Sequence, residues 1–201
     1  MNHTSSTVRV VKYIILVNIA VFFVQLTNQN PWFLQSFALS SFGWEDGRYY
    51  QLFTYMWLHG SLTHLLFNMI GLWCFGRELV SVTGRLHFLL LYALSGLAGG
   101  ALWILFNQNS LYPMVGASAA VLGLVTAFAT LFPRVKLLVF PFPFPIQARW
   151  LAVGYTLLTL IFVLRGSFSQ IAHLAHLGGM AIGYLYTRIF LLKKVPTFSR
   201  W

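Results

Sequence analysis

Acidic side chains are nearly missing from this chain: three Asp and Glu stand against 13 Lys and Arg in 201 residues, and charged residues make up only 8%. A water-soluble domain carries about 25% charged residues, so an ordinary soluble surface is excluded. Cysteine is also scarce. Cys74 stands alone within an apolar run, which rules out an intrachain disulfide and argues against thiolate metal binding. The basic excess has no clusters with interleaved polar surface, so nucleic acid is not the partner it implies. Nor does a small-x-small cleavage site follow the first apolar run. Arg9 and Lys12 precede 13–26 in the manner of a secretory leader, but Thr27, Asn28, Gln29 and Asn30 come next, so a retained first span is expected.

Hydrophobicity is what remains: 58% of residues are apolar and the mean hydropathy is +0.74. A bilayer core takes about 20 apolar residues per helix. Six runs approach that length, at roughly 10–27, 61–80, 86–106, 115–132, 148–165 and 171–192. Lipid cannot satisfy backbone polar groups, so the runs should be helices. The expectation is an all-α polytopic membrane protein, a single membrane-embedded domain over 1–201 with six transmembrane helices. With the N-terminus in the cytoplasm, eleven basic residues lie inside and only Arg48 and Arg165 outside. This fits the positive-inside rule and puts both termini in the cytoplasm. The aromatic-rich connection at 28–60 is expected to lie in the outer interface, and Phe140 to Pro145, alternating Phe with Pro, to form an extended inner link.

Polar side chains inside such runs are costly, and each is a candidate for function. His59, His64 and Asn68 fall at and within the second run, Ser118 at the start of the fourth, and His173 and His176 on the sixth. All lie near the outer ends of their spans under this orientation. Ser118 and His176 enter their helices at similar depths, given a rise of about 1.5 Å per residue. Close helix packing is supplied by Ala119, Gly123 and Ala127 at every fourth residue, and by the Gly179–Gly183 pair on the stripe that also carries His176. A serine hydrolase needs a base within reach of its hydroxyl and donors for the developing oxyanion. Ser118 and His176 meet the first need; the Asn68 amide, the His64 ring and the Ser118 N–H offer the second. No carboxylate is placed to orient the histidine: Glu45 and Asp46 fall in the outer loop and Glu78 near the inner end of the second span. A Ser-His dyad is the arrangement this composition permits. His173 is expected to be structural, His87 a solvated end, and Arg77, Glu78 and Arg85 inner-interface anchors.

His59, His64 and Asn68 in H-x-x-x-x-H-x-x-x-N, Gly116 and Ser118 in G-x-S, and Ala175, His176, Gly179 and Gly183 in A-H-x-x-G-x-x-x-G resemble the rhomboid intramembrane serine proteases. The resemblance covers all six runs in order. It implies cleavage of transmembrane protein substrates near the outer membrane face, without a cofactor or metal. Ser118 would be the nucleophile and His176 the base. His64, Asn68 and the Ser118 amide would hold the oxyanion, His59 would shape the aqueous cavity, and Gly116, Gly179 and Gly183 would support the site. A gate for substrate entry formed by the fifth span and a mobile cap at 166–170, and a bacterial plasma membrane, are further expectations. Three positions depart from the family pattern. Ala119 stands for the usual Gly, Leu122 for an aromatic that packs on the histidine, and Tyr50-Gln51 for Trp-Arg. Two other readings use the same residues. A catalytically inactive relative that binds membrane clients would explain the departures. A metal- or haem-binding protein built on His59, His64, His173 and His176 would lack the carboxylate of an H-E-x-x-H site.

Overall fold

Apolar runs that cannot hand their backbone polar groups to water satisfy them internally, and this chain does so almost entirely by helix. The computed structural model describes residues 3–28, 30–139, 144–165, 170–193 and 195. Nine α-helices are described: α1 (His3–Thr27), α2 (Pro31–Phe37), α3 (Ser41–Glu45), α4 (Gln51–Thr54), α5 (Leu62–Gly71), α6 (Arg77–Phe106), α7 (Ser118–Leu131), α8 (Ala148–Leu164) and α9 (Gln170–Tyr186). A π-helical segment, Leu72–Gly76, joins α5 to α6, and another, Thr187–Leu191, follows α9.

Two stretches, Thr7–Thr27 and Leu62–Phe106, are long and apolar enough to cross a bilayer, while α7 and α8 are shorter apolar helices. The longer stretch is not one straight rod. Gly84 breaks it with φ +81 and ψ 167, and the chain folds back so that Phe88 packs on Gly76. The second run therefore extends to the Gly84 break instead of ending at 80. The fourth run begins later than the hydrophobicity suggests. Gly116 has φ +124, outside helical geometry, and α7 starts only at Ser118.

The centre of the molecule is a three-helix contact of α6, α7 and α9, with α8 against α7 and α9 and α1 against α6. Glycine makes the contact close. A Cβ on Gly183 would fall 2.8 Å from Gly123 Cα, and one on Gly178 would fall 3.0 Å from Gly99 Cα. These spacings admit no side chain, as expected for helices that associate through small residues.

The aromatic connection after α1 is not a plain loop. It folds into α2, α3, α4 and a short 3-10 turn at Tyr55–Trp57. Asn30 and Ser40 cap α2 and α3 by accepting from Trp32 N and Gly43 N. Gln51, fully buried, holds the segment together. Its Nε2 donates to the carbonyls of Gln35 (2.9 Å) and Ser36 (3.2 Å), and its Oε1 accepts from Ser40 N–H (3.2 Å). The position that departs from the family's Trp-Arg pair is thus itself the loop's anchor, while Tyr50 stays half-exposed. Much of the Phe–Pro link, 140–143, and the cap at 166–169 lie outside the described residues. Flanking the link, Lys136–Leu137 (β1) and Ile146–Gln147 (β2) pair antiparallel, a small ribbon that the composition did not suggest.

Candidate active site

The hydroxyl at the head of α7 and the imidazole on α9 meet directly: Ser118 Oγ lies 2.8 Å from His176 Nε2. The approach of the two helices explains the distance. Gly179, one turn beyond His176, is so close to Ala119 that a Cβ there would sit 2.7 Å from the Ala119 carbonyl carbon. Ala119 itself is buried, and its methyl faces Gly99 on α6. The Ala at this position is accommodated because its neighbours are glycines.

Gly116 turns the chain into α7. Its positive φ favours glycine, and a Cβ there would strike the His64 ring, 2.8 Å from Nε2. Its N–H donates to the Tyr55 carbonyl (2.9 Å), and just upstream Leu39 and Met114 exchange backbone bonds of 3.0 and 2.7 Å. The segment leading to the serine is thereby tied to the outer connection. Tyr55, buried, fixes that connection to α6 through a hydroxyl that donates to the Gly96 carbonyl at 2.7 Å.

Ser61 caps α5 by accepting from His64 N–H (3.1 Å), which sets His64 and Asn68 on successive turns. The Asn68 side chain is buried and donates to the His64 carbonyl (2.9 Å), leaving its second N–H for another acceptor. His64, Asn68, Gly116, Ser118, Tyr155 and His176 all line one cavity of about 280 Å³. His59 stands beside it, ring to ring with His64 at 5.2 Å. Gln25 of α1 clamps the His59 backbone at both N–H (2.9 Å) and C=O (3.2 Å). Burial, then the adjacent His64 ring, pushes the His59 imidazole down to about 4, so it is neutral at neutral pH.

Tyr155 was not singled out in the sequence. It comes from α8, and its hydroxyl lies 3.3 Å from His176 Nδ1, with ring centroids 6.3 Å apart. The aromatic neighbour missing at Leu122 is supplied from another helix. His173 packs as a structural residue, its ring stacked on Phe162 at 4.9 Å and 13°. His87, expected to be a solvated end, instead bonds through Nδ1 to the Tyr186 hydroxyl at 2.8 Å. Arg77 pairs with Glu78 (3.2 Å), and Arg77 and Lys12 both lie over the Trp73 ring. Among the described residues no three His, Cys, Asp or Glu side chains converge on a point where a metal ion could sit.

A family model described as the Rhomboid domain matches residues 46–193. Among curated relatives, "Rhomboid protein 1, mitochondrial" of Saccharomyces cerevisiae is 36% identical over 140 residues, covering 64% of this chain and 38% of its own length. "Putative rhomboid protease YdcA" of Bacillus subtilis is 33% identical over 154 residues, 76% of this chain and 72% of that protein. "Rhomboid protease AarA" of Providencia stuartii is 29% identical over 202 residues, 89% of this chain and 71% of that protein. The chain spans well under two thirds of the yeast relative's length.

Proposed function

The chain belongs to the rhomboid family, an integral membrane family, and on that premise we propose that it is an intramembrane serine endopeptidase acting on transmembrane proteins. The observation that carries this reading is the 2.8 Å contact between Ser118 Oγ and His176 Nε2 at the edge of a largely apolar cavity into which a few polar side chains converge. A hydroxyl and an imidazole held at that distance are poised for proton transfer.

The chemistry follows from the donors present. Ser118 Oγ attacks the scissile carbonyl carbon as its proton passes to His176 Nε2. The resulting oxyanion accepts from the Ser118 N–H, which as a first-turn amide has no intrahelical acceptor, and from the Asn68 amide and His64 ring. The C–N bond breaks as His176 returns the proton to the leaving amine. Water then attacks the acyl-serine, giving its proton to His176 and releasing the carboxylate product with Ser118 restored. His59, neutral and packed against His64, shapes the wall of the cavity.

In the same proposal the domain fills 1–201 and crosses the bilayer six times, counting the two halves of Leu62–Phe106 separately. Eleven of the 13 basic residues lie inward, both termini are cytoplasmic, the site is near the outer face, and the setting is a bacterial plasma membrane. Purified protein should cleave a membrane-spanning reporter and label with a fluorophosphonate probe in the presence of chelator. Ser118→Ala and His176→Ala should each lose both activities while remaining folded. Undiminished cleavage by purified Ser118→Ala would overturn the assignment.

A further inference from the structure

We propose that Tyr155 is a positioning residue for the reaction, the neutral third member of a Ser118–His176–Tyr155 relay that fixes the tautomer and orientation of the histidine. The proposal rests on the dyad reading above.

Nε2 faces the Ser118 hydroxyl at 2.8 Å. To take the serine proton it must carry a lone pair, so the single proton of the neutral ring belongs on Nδ1. Nδ1 in turn faces the Tyr155 phenol at 3.3 Å. The phenol oxygen therefore accepts from Nδ1–H, the place a carboxylate takes in a triad. An imidazole whose Nδ1–H has no acceptor is free to adopt the other tautomer, which cannot act as the base.

No acid is available for the task. Asp46 is paired with Arg48 at 2.5 Å, Glu78 with Arg77 at 3.2 Å, and Glu45 is exposed on α3. A carboxylate beside the dyad would also need a charge to be held at membrane depth, at a cost of several kcal/mol. A phenol accepts a hydrogen bond without that charge. The ground-state contact is long, and it shortens when His176 gains its second proton, since a cationic donor makes shorter and stronger bonds.

Tyr155 also differs from the dyad in where it comes from. Ser118 and His176 stand on α7 and α9, which glycine contacts lock together, whereas Tyr155 belongs to α8. On the same helix, Thr156 reaches Met180 Sδ (3.5 Å) and Phe162 stacks on His173, so three contacts from α8 to α9 set the phenol's position.

The test compares wild type, Tyr155→Phe and Tyr155→Leu as purified full-length protein, by fluorophosphonate labelling rate and by reporter kcat and KM across pH. Tyr155→Phe keeps the ring and removes only the oxygen. It should lower kcat and labelling by about 10-fold, the effect of one lost hydrogen bond to a charged group, with KM unchanged. The acid limb of kcat/KM should move to lower pH, because the phenol favours the protonated ring. Nitrogen-15 NMR of histidine-labelled protein gives a readout independent of activity. Wild-type His176 should show a protonated Nδ1 and a bare Nε2, and Tyr155→Phe a mixture of tautomers, with signals assigned by their loss in His176→Asn. Wild-type kcat and pH profile in Tyr155→Phe, with only Tyr155→Leu impaired, would reduce Tyr155 to packing and overturn the proposal. Failure of wild type to label at all would count against the protease reading, and the NMR comparison would still decide the role of Tyr155.

Discussion

Gly179→Ala adds one methyl group at the tightest point between α7 and α9, and its effect can be worked from the geometry. The new Cβ would overlap the Ala119 carbonyl oxygen most severely, and would lie 2.7 Å from the carbonyl carbon and 3.0 Å from Cα, where ordinary contact begins at 3.4 Å. These are backbone atoms and cannot rotate away, so the helices must part by about 1 Å or more to clear the oxygen. Ala119 adjoins Ser118 and Gly179 lies one turn from His176, so the separation falls on the dyad. Its 2.8 Å hydrogen bond stretches to about 3.8 Å, beyond the reach of such a bond. A misplacement of this order costs about 10²-fold in rate, with about 1–3 kcal/mol of stability lost to overpacking. Fluorophosphonate labelling of purified protein measures the first and thermal unfolding in detergent the second. Ala119→Gly should give no rescue, because the obstacle is main chain. Gly154→Ala on α8, with nothing within 4 Å of the added carbon, is the control. It should leave labelling unchanged and stabilise the helix by up to about 1 kcal/mol. A Gly179→Ala protein labelled at the wild-type rate, with unaltered unfolding, would refute the idea that this helix contact sets the dyad distance.

Asn68→Ala should leave substrate binding nearly intact and lower turnover by about 10²-fold, the usual loss for one oxyanion donor; steady-state kinetics on the membrane reporter separates the two, and an unfolded variant would instead assign Asn68 to packing. Gln51→Leu strips partners from the Ser40 N–H and from the Gln35 and Ser36 carbonyls. It should lower stability by about 2–4 kcal/mol, read as a fall in Tm and faster proteolysis in 30–54; an unchanged Tm would show that the loop is held elsewhere.

The pairing of Ser118 with His176 was legible because each is expensive within an apolar run and the small-residue stripes pointed their helices at each other. What escaped the sequence were partners whose cost is low. Tyr155 is one of nine tyrosines, and a single phenol midway along an apolar helix carries no charge to mark it; its contact depends on how α8 crosses α9, which no local pattern encodes. Gln51 read as the loss of a family residue, since a buried amide is recognisable only once its carbonyl partners are placed around it. The Gly84 break was hidden because hydrophobicity continues on both sides of it, while the late start of α7 was hidden because Val115 to Ala117 are as apolar as a helix would be.

The π-helical segment Leu72–Gly76 gives the chain latitude in its length. His64, Asn68, Leu72 and Gly76 recur at every fourth residue, a spacing that drifts about 40° per step around an ordinary α-helix. Yet His64 lines the cavity, Asn68 and Leu72 are buried, and Gly76 packs on Phe88. The wider winding takes up the drift and lets one side of the helix serve the site above and the α6 contact below. Removing a single residue there would restore regular winding, and because the wide turn already absorbs that residue, Gly76 would keep close to its present facing on Phe88. A one-residue deletion is therefore tolerable within these five positions, whereas the same deletion in the regular turns of α5 would swing everything inward by about 100°.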